Sequence, residues 1–512
     1  MKINTNSKNF RIILFSVIGL AVLAAVVLVL TLTAPDDGSD DDQNVTETTT
    51  ADPALMLQPE DKGKIESIYI ENPVGSFTVK KAVNKSGEDI WIIEGYEDIK
   101  ESLWVQSSFD SLVDSLTGMT ARSLVEENPS DIEQYGLSAP SSKAQVNYEN
   151  GESFTLYIGG NVVSGSANYV MTSDSENVYS YYSYSLNAVM NNDPMSYINT
   201  TAMPSFDGSN APSIKKITVT RKDWEQPVIL EALPEPDSEE SIQVYPYAFT
   251  SPYDVYLDLT NGSAFLNAMF GLTAEKAVYV DPTEEQLKET GLDDPFCGID
   301  ILAVNENAED AQEKDMVFRL FVGNAVTEEV TDEETGVTTN QLKGFYGISN
   351  QVKDVIYYFS ADSLVWATME PTQYMSKLFL MPYIYDLDTV TYRDGECEFT
   401  ATVNGGADDA KVVLNGEESD LERFQVFYQY LVSCRGEEIY TDETKGDFIA
   451  EFSYTYDDDR EKDTVTLYES ADRKIIIAVN GKNIFKTKWN YATRLLENAQ
   501  AYLNGEEIVL NY

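Results

Sequence analysis

The tract from Asp131 to Pro194 returns further along the chain, and this recurrence constrains the fold more than any other feature of the sequence. It opens with a short acidic turn ending at Tyr135-Gly136-Leu137, with Pro140 just beyond. A strand over Lys143–Tyr148, an Asn150-Gly151 turn and a second strand over Ser153–Ile158, closed by Gly159, read as a hairpin. Strands at Asn168–Met171 and Val178–Tyr182 and a helix at Leu186–Met190 complete the unit. Downstream, Thr283–Pro295 restates Ser130–Pro140, with Gly291, Leu292 and Pro295 in the places of Gly136, Leu137 and Pro140. Met316–Phe321 followed by Gly323 then restates Phe154–Ile158 followed by Gly159.

Extending the comparison outward predicts three tandem copies. The first begins at the strand Lys64–Ile70 and carries a helix near Ser107–Thr117, where Phe109, Leu112, Val113 and Leu116 share one face. In the second, Ile214–Thr220 matches that opening strand and Ala264–Phe270 that helix. The third opens at Thr389–Tyr392, has helices at Ser419–Cys434 and Trp489–Tyr502, and lacks the glycine-leucine turn. The expected fold is α+β: an N-terminal transmembrane helix, then three tandem modules, each a mostly antiparallel sheet with packed helices. Residues 63–205 form the first module, 212–385 the second and 386–512 the third, degenerate one.

Ahead of the modules, Ile12–Leu32 is an apolar run without a charge, preceded by Lys2, Lys8 and Arg11. At helical rise it spans about 31 Å, the hydrocarbon thickness of a bilayer. A cleaved signal peptide would carry a shorter apolar core, and Leu32-Thr33-Ala34 is a poor cleavage site. Residues 1–11 are therefore expected in the cytoplasm, 12–32 across the membrane as a single-pass anchor, and the C-terminal bulk outside. Residues 33–62, rich in Asp and Thr, are expected to be a disordered acidic linker.

The formal charge of −51 disfavours nucleic acid as a partner. With no histidine in the chain, Ser-His-Asp and Cys-His triads and imidazole metal sites are excluded. The three cysteines, Cys297, Cys397 and Cys434, form no CxxC. A disulfide would join Cys397 to Cys434, with buried free thiols as the alternative. Ser213-Ile-Lys-Lys216 formally matches S-x-x-K but overlaps a strand where that chemistry needs a helix. No catalytic residue and no cofactor are assigned; the acidic turn Asp457–Asp459 reads as a solvated hairpin tip, with calcium binding as the weaker alternative.

At Asp131–Pro140, continued by Phe154–Gly159 and Asn168-Tyr169-Val170, the chain resembles the bacterial domain of unknown function 4340 family. That family's hallmarks are a "YGL-x-x-P" element, a strand ending in glycine and a "YV" strand. In the second copy Thr290 replaces the tyrosine, and the third matches in element order alone. The resemblance implies a single N-terminal helical anchor and an association with ABC-transporter components, including those of the gliding-motility auxiliary type. No functional residues carry over from it.

Gly136 and Gly291 have the context of a helix C-cap, and Gly159 and Gly323 that of a turn or bulge at a strand end. Together with Tyr135, Leu137, Pro140, Leu292 and Pro295 they are read as a structural motif. Tyr157, Tyr169, Tyr179, Tyr181 and Tyr182 alternate along strands, as half-buried sheet faces do and as sugar platforms can. The expected function is a membrane-anchored extracytoplasmic accessory or scaffold protein without catalytic activity, partnered by the membrane and by transporter subunits. The alternative is an extracellular glycan- or ligand-binding ectodomain, or a carbohydrate-active one.

Overall fold

Alternation of apolar and polar residues writes most of this chain as strands with one buried face. Ser142–Tyr148, for instance, alternates buried and half-buried positions without a break. The structure is a computed structural model that describes residues 53–58, 63–163, 165–206, 211–234, 245–305, 314–332 and 336–512. The expected span 12–32 and all of the expected linker except 53–58 lie outside them. Among the described residues no helix is long and apolar enough to cross a membrane. The chain divides into Met1–Ala54 and a second unit, Leu55–Tyr512, which holds all the described strands.

In the first module β1 (Ile65–Asn72), β2 (Gly75–Val83), β3 (Asp89–Ile93), β4 (Ser123–Glu126), β5 (Ser142–Tyr148), β6 (Ser153–Asn161), β7 (Ala167–Thr172) and β8 (Ser175–Tyr182) make one sheet. The second contains β9 (Ser213–Arg221), β10 (Val228–Ala232), β11 (Tyr247–Ser251), β12 (Val255–Tyr256), β13 (Lys276–Val280), β14 (Cys297–Val304), β15 (Asp315–Thr331), β16 (Thr338–Ser349) and β17 (Val355–Ser360). The third contains β18 (Leu387–Asp394), β19 (Glu398–Asn404), β20 (Lys411–Leu414), β21 (Glu417–Ser419), β22 (Glu438–Ile439), β23 (Phe448–Tyr456), β24 (Asp463–Glu469), β25 (Lys474–Val479) and β26 (Lys482–Lys488).

The spatial orders establish that these are one topology used three times. The run β2-β1-β5-β6-β7-β8-β4 recurs as β10-β9-β14-β15-β16-β17-β13 and as β19-β18-β23-β24-β25-β26-β22. The central pairs β1–β5, β9–β14 and β18–β23 are all antiparallel. Each opening strand also carries its irregularity in the same place, between Ile65 and Ser67, between Ile214 and Lys216, and between Leu387 and Thr389. A bulge is a built feature, so its threefold repetition at one register argues strongly for common construction.

Among the described residues helices are few, and most are short. They are α1 (Gln106–Ser115), α2 (Asn187–Asn191), α3 (Gly262–Asn267), α4 (Glu284–Glu289), α5 (Val365–Thr368), α6 (Leu421–Val432) and α7 (Trp489–Asn504). On α1, Phe109 and Leu112 are fully buried, and Phe109 stacks on Tyr197 at 4.4 Å. The helix expected over Ala264–Phe270 is α3, which stops at Asn267. Gly271 follows at φ 72°, and its amide donates to Pro204 O at 2.8 Å. Most buried apolar residues of the three modules belong to one continuous cluster, from Leu57 to Tyr502.

One correction falls on the linker. Leu55–Gln58 do not behave as acidic tether; they lie as a strap along the segment before β4. Leu57 and Gln58 amides both donate to Met119 O (2.8 and 3.3 Å), and Ala121 N–H donates to Leu55 O at 2.7 Å. Both Leu57 and Gln58 are buried, and the Gln58 amide bonds the Tyr148 hydroxyl. The physical reason is local composition, since Leu55-Met56-Leu57 is the one apolar patch between the aspartate run and β1.

The same strap recurs at each later module. Ala202 and Met203 amides both donate to Leu272 O (2.9 and 3.2 Å), and Ala274 N–H to Thr200 O at 2.8 Å, ahead of β13. Before β22, Gly436 N–H donates to Lys377 O at 2.7 Å and Leu378 bridges Arg435. Leu57, Ala202 and Phe379 are the buried residues at corresponding positions. Thus each module receives the chain that precedes it in one standard slot. Truncating Leu57 to Ala is expected to cost about 2–3 kcal/mol in denaturant unfolding, the value for a buried leucine at a module edge. Met56→Ala, at a side chain 45% exposed, should change stability by less than about 0.5 kcal/mol.

Candidate functional site

The recurring glycines meet in space. In the first module the acidic turn is a 3-10 helix, Glu133–Tyr135, whose start is fixed by Asp131 Oδ1 accepting the Glu133 amide at 2.9 Å. It ends with Leu137 N–H donating to Ile132 O (3.1 Å) and Gly136 N–H to Glu133 O (2.9 Å). In the second, Leu292 N–H donates to Leu287 O (2.8 Å) and Gly291 N–H to Lys288 O (3.1 Å). These paired bonds are a Schellman termination, which places the glycine in the left-handed region; φ is 71° at Gly136 and 70° at Gly291.

The turn then locks onto the sheet. A Cβ on Gly159 would lie 2.2 Å from Tyr135 O, and one on Gly323 would lie 2.1 Å from Thr290 O. Only a residue without a side chain lets the two backbones approach this closely. Leu137 and Leu292 fall against the same glycines and are buried. The register slips here, between Ile158 and Asn161 and between Val322 and Ala325, so the strand end is also a bulge. Pro140 and Pro295, half-buried, lead the chain into β5 and β14.

Tyr135 and its replacement Thr290 differ in direction. The Tyr135 hydroxyl donates to Glu126, its ring sits 4.9 Å from Tyr169, and the carboxylate bond pushes the phenol up to about 12. Thr290 is buried and its hydroxyl donates to Gln286 O at 2.7 Å. Of the alternating tyrosines, Tyr179 is buried, Tyr157, Tyr169 and Tyr181 are half-buried, and Tyr182 is exposed beneath Arg122.

The third module replaces this lock. Between β22 and β23 the glycine belongs to the loop, where Gly446 N–H donates to Glu469 O at 3.0 Å, and Glu469 N–H donates back to Asp447 O at 2.8 Å. The loop is braced by Tyr440, whose hydroxyl donates to Thr444 O at 2.7 Å, and by Asn483, whose amide donates to Asp442 O at 2.6 Å. Bonds from Thr444 hold the Asp442 carboxyl below its ordinary value.

Two clefts flank this loop. One, of about 610 Å³, lies between the second and third modules and is lined by Tyr253, Asp254, Asp442, Glu443, Lys445 and Asn483. A smaller one, of about 410 Å³, contains Tyr440, Asp472, Ile476 and Lys486. Its Lys486 lies 4.1 Å from the Tyr440 ring and 3.3 Å from Asp472. No sequence signal announces either cleft, because each depends on segments far apart in the chain.

The reactive groups elsewhere are restrained. Cys297, Cys397 and Cys434 are all free, so no Cys397–Cys434 disulfide is present. Burial pushes the Cys297 and Cys397 thiols up to about 12 and Cys434 upward as well. Lys216 lies 2.7 Å from Glu231 across the β9–β10 strand pair. At the turn Asp457–Asp459, Arg460 lies 2.7 Å from Asp458 and 3.0 Å from Asp386, answering the charge from within the chain. Among the described residues no group of three or more acids or cysteines is placed to hold a metal ion.

Gly159→Ala and Gly323→Ala should each destabilise by about 1–3 kcal/mol in denaturant unfolding, because a backbone carbonyl stands in the way. Gly395→Ala, with open space around it, should be neutral. At pH 8 Cys297 and Cys434 should react with a thiol reagent only on unfolding, since a raised thiol stays neutral. The same protons make their stability contribution complete below about pH 8.5, where an unfolded thiol titrates. It should decline as the pH climbs above that towards about 12, where the folded Cys297 titrates.

Residues 105–295 match the family model described as "Domain of unknown function (DUF4340)". No curated protein matches the chain. No solved structure matches it either. The matched stretch begins at α1, includes the whole glycine lock of the first module and ends at Pro295, the last residue of the second copy's turn motif. Over residues 105–295 the chain is similar to the DUF4340 family.

Proposed function

We propose that this protein is a membrane-anchored extracytoplasmic accessory or scaffold protein without catalytic activity, serving an ABC-type transport system. The observation that carries the reading is the joining of three like sheets, through recurrent straps, around one continuous core. Such a build supplies a firm body with several solvent-facing sheets, as holding partners in register requires. Contacts between the first and second modules are specific: the Tyr357 hydroxyl donates to Asn199 O at 3.0 Å, Ser349 to Ala202 O at 2.8 Å, and Lys100 pairs with Asp354. The second and third are joined by Gln425 to Tyr385 (2.8 Å) and by Phe379 against Phe485 at 6.0 Å. The apolar run Ile12–Leu32 supplies the anchor, and the family resemblance supplies the transport association.

A second reading, favoured by the cleft at Tyr253, is binding of a polar ligand such as a glycan. Its size suits a small saccharide, and it offers an aromatic ring beside carboxylates, a lysine and an amide. Calorimetric titration with oligosaccharides should then give binding that Tyr253→Ala weakens by about tenfold or more.

Protease added outside intact spheroplasts tests the scaffold reading first. Digestion of the modules, with the chain retained in the membrane fraction, is the expected result. Modules protected from external protease, or a chain released into the soluble fraction, would end it. Retention of a permease on the full chain, and its loss when 12–32 is removed, is the expected second result.

A further inference from the structure

One element of the second module has no counterpart in the other two. The hairpin β15–β16 runs far beyond its sheet. β14 pairs with β15 only as far as Val322, and β17 pairs with β16 only from Gly344 onward. From Ala325 to Thr331, and from Thr338 to Leu342, the two strands pair with each other alone among the described strands. In the first module the equivalent strands end at Asn161 and restart at Ala167, and in the third they end at Glu469 and restart at Lys474. The projecting arm is exposed along nearly its whole length, including Val330 (39%) and Leu342 (37%).

Below the root of the arm the solvent face of the same sheet carries exposed apolar residues. Phe321, about 40% exposed and paired with Ile348, lies next to the root; Leu302 and Val317, equally exposed and paired with each other, lie further along that face, beyond the Arg319–Asp300 ion pair. The corresponding pair in the first module is Asn147 with Ser153. The third module has Thr389 against Thr455, both half-buried, on the corresponding face of β18 and β23. A two-stranded ribbon in water gains little from its own pairing, and its two outer edges offer unpaired backbone groups.

Resting on the scaffold reading, we propose that this arm, with Phe321 at its root, forms the docking surface for a cationic protein partner. The partner adds an extended strand to an outer edge of the arm and lays an apolar side chain on Phe321. Charge decides the occupant. The arm carries Glu328, Glu329 and Asp332, and Lys343, at its base, is paired to Glu328 at 3.0 Å. A second copy of a chain with net charge −51 would bring the same acids to the same edge, and an anionic lipid surface would be repelled. A strand rich in Lys or Arg would be drawn in.

The test places a photoreactive residue at Val330, at Leu342 and, as control, at Ala471 in the short turn of the third module. The full chain is cross-linked in intact cells, and the adducts are mapped by mass spectrometry. Expected is one protein adduct at 330 and 342 and none at 471, mapping to a positively charged strand at the edge of the partner. Glu328→Lys with Glu329→Lys should reduce it by about tenfold, from the loss and reversal of two exposed charge contacts. Unfolding of that variant should change little, since both residues are exposed and the Glu328–Lys343 pair it breaks is a surface one. No adduct, an adduct to a second copy or to lipid, or a protein adduct indifferent to charge reversal would each overturn the proposal. Protease accessibility of the same cells separates the two ideas. Modules digested from outside but silent at 330 and 342 would remove the docking arm alone, whereas protected modules would remove the scaffold reading.

Discussion

A sheet with one apolar face is stable only when that face is covered, and in the first two modules the described helical cover is scarce. α2 has five residues and α5 only four, too few to shield a wide sheet unaided. The strap repairs this deficit. By pairing its backbone with the segment before the last edge strand, each incoming stretch of chain closes the open side of a module. It also drives a buried residue (Leu57, Ala202 or Phe379) into the seam. Coverage of one module is thus contributed by chain that belongs, in sequence, to what came before it. The continuous core is the consequence.

The glycine lock solves a second problem of the same kind. The turn before β5 or β14 must cross the end of the neighbouring strand closely enough to bury Leu137 or Leu292, and a side chain on Gly159 or Gly323 would hold it off. The third module shows that the contact matters more than its sequence. There the glycine has moved from strand to loop, as Gly446 against Glu469, and the crossing is preserved with a different chain path. The two clefts lie along that altered path, around Tyr440–Asp447.

Much of this architecture was legible in the residues. The three opening strands, the capping glycines and the strand-end glycines are conformational necessities that leave their mark at single positions. Helices α1, α6 and α7 are long enough to show their periodicity. The strap was hidden for a physical reason. Leu55–Gln58 is too short for any period to register, and it stands beside an aspartate run that dominates the reading of its neighbourhood. The arm escaped because Thr, Val and Glu around Ala325–Lys343 look like a polar loop until they are paired. The cleft at Tyr253 arises from apposition of two modules, for which no local pattern exists.

Differential scanning calorimetry of the intact chain tests the central claim most directly, because a shared core and independent modules differ in cooperativity. If straps and seams join the three sheets into one body, the modules should unfold in a single transition whose calorimetric and van't Hoff enthalpies agree. Separate transitions, or a calorimetric enthalpy about threefold the van't Hoff value, would mean that the modules fold alone and that the continuous core does not bind them together.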